Sequence, residues 1–149
     1  MKSLSWLASY WIKSDDSIQN LLVEEQNQAY EGLTFELNDE TYRSRLAKKT
    51  PNKKGYFVVF WEKNRQNNNQ PYAFESAPNQ LIVLILDEEK QGVFLFPKKV
   101  LLEQGILRDE TTKGKMAIRV YPTWENELNL SAQRTQKWQE AYFTDYTNK

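Results

Sequence analysis

The sequence predicts one α+β domain spanning residues 1–149, with a mostly antiparallel or mixed sheet flanked by helices. Three observations carry that expectation. Segments of strand length alternate or run apolar at 33–37, 41–49, 56–63, 81–86, 93–96 and 115–121. Short links between 41–49 and 56–63, and between 81–86 and 93–96, suit hairpins. A chain of 149 residues with 40% hydrophobic content supplies one core, and no internal repeat divides it.

Leu4, Leu7, Ala8, Trp11 and Ile12 fall at helical spacing and predict a short amphipathic helix. Asp15 or Asp16 can cap a second helix carrying Ile18, Leu21, Leu22, Glu25 and Ala29 on one side, stopped at Gly32. A strand follows at Leu33–Leu37, then a turn at Asn38-Asp39 and a second strand over 41–49. Thr50 to Gly55 form a loop, and Tyr56 to Lys63 a third strand rich in aromatic and β-branched residues. Asn64 to Gln70 is polar and Asn-rich, so a mobile loop is expected. Leu81 to Leu86 is wholly apolar, as a central strand should be, and Val93 to Phe96 forms its hairpin partner. Pro97 opens a helix that closes at Gly105. Lys115 to Tyr121 alternates as a strand, and Ser131 can cap a last helix bearing Thr135, Trp138 and Tyr142.

Composition excludes several kinds of chemistry. Without cysteine there is no disulfide framework and no thiolate nucleophile. Without histidine the commonest general base and the usual zinc ligand are missing. An enzyme would depend on carboxylates, lysine, arginine, tyrosine or an oxygen-ligated metal. No cofactor or metal site is expected. The longest apolar run, Leu81–Leu86, is too short for a bilayer, and the start Met1-Lys2-Ser3-Leu4-Ser5-Trp6 lacks an export signal. A cytoplasmic protein without a membrane partner is expected.

The net charge of zero hides a segregation. From Ser14 to Tyr42 there are eight acids and no base; from Arg43 to Arg65 there are eight bases against Glu62 alone. Either two surfaces of opposite sign result, or the segments neutralise each other internally. Arg43 and Arg45 share one strand face with Lys49, while Lys48 falls on the other. Two arginines so placed can fork onto phosphates or carboxylates, and they can equally pair with the preceding acids. With Lys53, Lys54, Tyr56 and Trp61 they form the cation-and-ring mixture that nucleic acid favours. A second cluster places Lys115, Arg119 and Tyr121 on one strand face, opposite Met116, Ile118 and Val120. Glu24, Glu25, Glu31 and Glu36 would hold Mg²⁺ only if they converged, and Gly92, Gly105 and Gly114 make no phosphate loop.

Three ordered stretches resemble the MepB family of small bacterial proteins. They are Arg43-Ser44-Arg45-Leu46-Ala47-Lys48-Lys49-Thr50-Pro51 continuing through Lys54-Gly55-Tyr56-Phe57-Val58 to Trp61; Gly92-Val93-Phe94-Leu95-Phe96-Pro97-Lys98 with Val100-Leu101 and Gly105-Ile106; and Gly114-Lys115 through Arg119-Val120-Tyr121-Pro122 to Trp124, with Thr135-Gln136-Lys137-Trp138-Gln139 and Tyr142-Phe143. The resemblance implies a nuclease-like α/β core and nucleic-acid binding. Metal-dependent nucleases of that kind need an Asp, then an acid one residue before a lysine, to hold Mg²⁺ and polarise water. Here Trp61-Glu62-Lys63 has no intervening residue, and Arg43 and Arg45 stand where an acid is wanted. The leading expectation is therefore a non-enzymatic nucleic-acid-binding module. A protein- or anionic-ligand-binding accessory protein comes next, and a metal-dependent nuclease third.

Overall fold

The computed structural model describes all 149 residues. A six-stranded mixed sheet forms its centre, ordered β1 (Ile18–Val23), β2 (Leu33–Leu37), β3 (Glu40–Leu46), β8 (Gln80–Asp87), β9 (Lys90–Pro97) and β11 (Phe143–Asp145). Only β3 and β8 run parallel; the other neighbours are antiparallel. The apolar run 81–86 does occupy a central strand, because both its faces are covered. Leu81, Val83 and Ile85 point into one core cluster, Ile82 and Leu84 into another.

The second cluster is covered by the N-terminal helix α1 (Lys2–Trp6), which widens into one π-type turn over Leu7–Trp11. There the Ile12 N–H reaches back to the Leu7 carbonyl at 2.8 Å. The first cluster is covered by a second, three-stranded sheet. It comprises β4 (Lys48–Thr50), β5 (Lys53–Val59) and β10 (Ala117–Val120), with β5 in the middle. Helices α2 (Lys98–Glu103) and α3 (Leu130–Gln139) complete that side, with Leu101 and Trp138 packed on the core.

Several boundaries differ from the expectations. The helix expected over 18–29 is instead strand β1 followed by irregular chain and a 3₁₀ turn at Gln28–Tyr30. Tertiary pairing overrides the local spacing, since β1 adds to the edge of β2. The segment 41–49 is two strands rather than one. Ala47 donates its N–H to Leu84 at 2.9 Å, and beyond it the chain leaves the large sheet for the small one. The third strand ends at Val59. Glu62–Lys63 (β6) and Asn69–Gln70 (β7) form a separate ribbon, so the stretch expected as one loop over 64–70 turns over 64–68 and ends in a strand. Asn64 Oδ1 accepts from the N–H groups of Gln66 and Asn68, the kind of side-chain-to-backbone bond that favours asparagine in turns. The last helix is capped by Asn129, whose Oδ1 accepts from Ala132 N at 2.8 Å, and not by Ser131.

Candidate nucleic-acid interface and a buried arginine network

Arg43 and Arg45 project from β3 on the face that meets the small sheet, beside Glu24 at the end of β1. Arg45 is fully buried, and each of its five N–H groups has an acceptor. Nη1 donates to Glu24 Oε1 at 2.6 Å and to the Ser44 carbonyl at 3.1 Å. Nη2 donates to Asn27 Oδ1 at 2.9 Å and to the Tyr72 hydroxyl at 3.1 Å, and Nε to the Val59 carbonyl at 3.3 Å. Arg43 Nε donates to the same Glu24 oxygen at 3.1 Å, and its guanidinium lies 3.6 Å from the centre of the Tyr72 ring. Tyr72 in turn donates to Glu24 Oε2 at 2.9 Å. Burial disfavours the Glu24 carboxylate, yet the charges of Arg45 and Arg43 and the bonds from Arg45 and Tyr72 outweigh it. The carboxyl is held below its ordinary value.

Local sequence makes this network fit. A Cβ at Gly32 would lie 2.8 Å from Arg45 Nη1, so the absence of a side chain there leaves room for the guanidinium. Asn27, at φ 63, also accepts the Trp61 N–H at 3.0 Å, tying the chain that follows β1 to the chain that follows β5. Of the two readings open for these arginines, the geometry is that of internal pairing. The sequence missed Tyr72 and Asn27, whose roles depend on chain segments brought together from far apart.

The other candidates divide by exposure. Tyr56 is buried and donates to Asp87 at 2.6 Å; burial first, then that bond, pushes its phenol up, so its ring is core. Trp61 lies past the end of β5, half-buried, with Lys63 over its ring at 5.2 Å. Glu62 is held by Arg108 at 3.1 Å and Gln70 at 3.0 Å. Glu24, Glu25, Glu31 and Glu36 do not converge: no group of three or more acidic side chains is placed to hold a metal ion.

The outward face of the small sheet collects most of the rest. Lys48 on β4, Phe57 on β5 and Arg119 on β10 are direct cross-strand neighbours, so their side chains form one row. The inner row, Tyr56, Val58, Ile118 and Val120, is core. Arg119 lies 5.6 Å from the Phe57 ring centre and Lys48 5.1 Å from that of Tyr30, whose ring meets Phe57 edge-on. Lys53, Lys54 and Lys115 are exposed around this row, and Tyr121 is half-exposed beside it. Arg119 is fixed by donating to the Lys54 carbonyl at 3.1 Å and to Thr50 Oγ1 at 2.6 Å. Lys54 pairs loosely with Glu127 at 3.8 Å, and Lys49, at the margin, with Asp87 at 3.7 Å. Lys48, Lys53, Lys115 and Arg119 make no salt bridge. Phe57 and Tyr30 were not among the sequence candidates; Phe57 was hidden because alternation along 56–63 marks neither face as outer.

No helix is long and apolar enough to cross a membrane. No curated protein matches the chain. A crystal structure of MepB is 47% identical, covering 99% of this chain and 98% of that one, with a TM-score of 0.88. A bacterial homing endonuclease is a far weaker likeness, at 14% identity over 92% of this chain and 82% of that one, with a TM-score of 0.48. The model of the MepB-like family matches residues 24–145. This chain belongs to the MepB-like family.

Proposed function

We propose that this protein is a non-enzymatic, cytoplasmic nucleic-acid-binding module that uses the outer face of its small sheet. The observation that carries the reading is the row Lys48–Phe57–Arg119, in which cations without carboxylate partners flank a half-exposed ring. Cations of that kind can follow a phosphate backbone, and rings between them can stack on bases. Lys53, Lys54 and Lys115 extend the cationic area, while Arg43 and Arg45 contribute to its support from inside.

A fluorescence-anisotropy titration with DNA and RNA oligomers at two salt concentrations tests the reading. Three to five phosphate contacts should make log K fall with log salt at a slope of roughly −2 to −4. Absence of binding at low salt would remove the proposal; tight binding without a salt slope would favour a small anionic ligand instead.

Hydrolysis has no support from the site, since Glu62 is engaged by Arg108 and Gln70. Oligomers incubated with the protein and Mg²⁺ should stay intact. Cleavage that disappears in Glu62→Gln would overturn this expectation.

A further inference from the structure

We infer that the groove between α3 and β10 is a seat for an unpaired base, so that the ligand class is single-stranded nucleic acid. This rests on the nucleic-acid reading above and narrows it. The groove encloses about 360 Å³, within the range of small-molecule sites. Phe57, Tyr121 and Trp138 give it three ring systems, and Lys115 and Arg119 stand in its wall. It opens beside the Lys48–Phe57–Arg119 row, so a strand tracked by those cations passes its mouth.

The walls are fixed in advance. Buried Gln139 on α3 accepts from the Tyr121 N–H at 2.9 Å and donates to the Arg119 carbonyl at 3.0 Å. Those two bonds lock the helix to the strand end and satisfy both amide atoms. Trp138 is steadied by Phe96, with ring centres 5.4 Å apart, and remains half-exposed toward the groove. Arg119 is held over Phe57 by its bonds to Thr50 and Lys54, so a guanidinium plane is ready beside the rings. A base in a duplex is already stacked and offers only its edges, whereas a splayed base can enter and stack on rings or on a guanidinium. Recessed rings therefore discriminate in favour of the unpaired strand, and the cations alone do not.

The test compares an unpaired oligodeoxynucleotide, an oligoribonucleotide and a duplex of equal length, by anisotropy at one salt concentration. Two variants accompany the native chain. Phe57→Ala removes a ring, and Thr135→Trp fills the groove from the half-exposed face of α3 without touching a charge. A single strand should bind at least about tenfold more tightly than duplex, the scale of one stacked base. Each variant should erase that difference, and Thr135→Trp, which leaves the outer row intact, should keep duplex affinity near the native value. The two single-stranded arms report whether the sugar matters, and preference for either over duplex supports the inference. Should duplex bind as tightly as single strand, or should the preference survive Thr135→Trp, the groove is not a base seat while the broader reading stands. Failure of all three oligomers to bind would overturn both.

Discussion

Glu24→Ala is expected to destabilise the fold by about 3–5 kcal/mol, the scale for removing one partner of a buried ion pair. The reason is asymmetric. Arg45 is fully buried and Arg43 is partly buried, and Glu24 is the only carboxylate that either one meets. Without it two guanidinium groups stay in place with only neutral acceptors and a ring. Glu24→Gln keeps the shape and should destabilise almost as much. The Glu24 proton is held less tightly in the folded chain than at the ordinary value of 4.5. The pair's contribution is therefore complete above that value and is lost as pH falls through the lower folded value. Thermal melts from pH 7 downward should show native stability declining in that acid range and Glu24→Gln changing less. Equal acid sensitivity of the two chains would contradict the role given to Glu24.

The largest expected effect on binding comes from Lys48→Ala combined with Arg119→Ala. The two side chains flank Phe57 on the outer row and neither meets a carboxylate. Removing two phosphate contacts should lower nucleic-acid affinity by about an order of magnitude or more at moderate salt and flatten the salt slope by one to two units. Arg119 also bonds the β4–β5 hairpin, so the melting temperature must be measured beside the affinity. Lys48→Ala with Lys53→Ala avoids that coupling and should give a loss of similar direction. Unchanged affinity in both double variants would show that the row does not touch the ligand.

The particular residues show why some of this was legible in the sequence. Wholly apolar 81–86 became a central strand because length and composition left no other way to bury both faces. Alternation at 115–121 correctly separated Ile118 and Val120 from Arg119. Where 18–29 misled, a bulge was the cause. Three steps along β1, from Gln19 to Leu22, oppose two steps along β2, from Glu36 to Thr34, with Asn20 at φ 56. The extra residue breaks the two-residue period and leaves Ile18, Leu21 and Leu22 at helical spacing by accident. The charge segregation was visible, but its meaning was not. Whether Arg43 meets phosphate or Glu24 depends on which strands pair, and that is a long-range property. Alternation already set Lys48 on the face opposite Arg43 and Arg45, and the change of sheets at Ala47 carries it onto the small sheet.

In the proposed arrangement the outer cations and rings meet nucleic acid while the inner arginines hold the fold. Mapping amide chemical shifts during titration with a single-stranded oligomer tests it most directly. Residues 48–57 and 115–121, with Thr135 and Trp138 across the groove, should shift in a salt-dependent way, while Glu24, Arg43, Arg45 and Tyr72 should stay still. Shifts centred on that buried network, with the small sheet unmoved, would rule out the outer face as the binding surface.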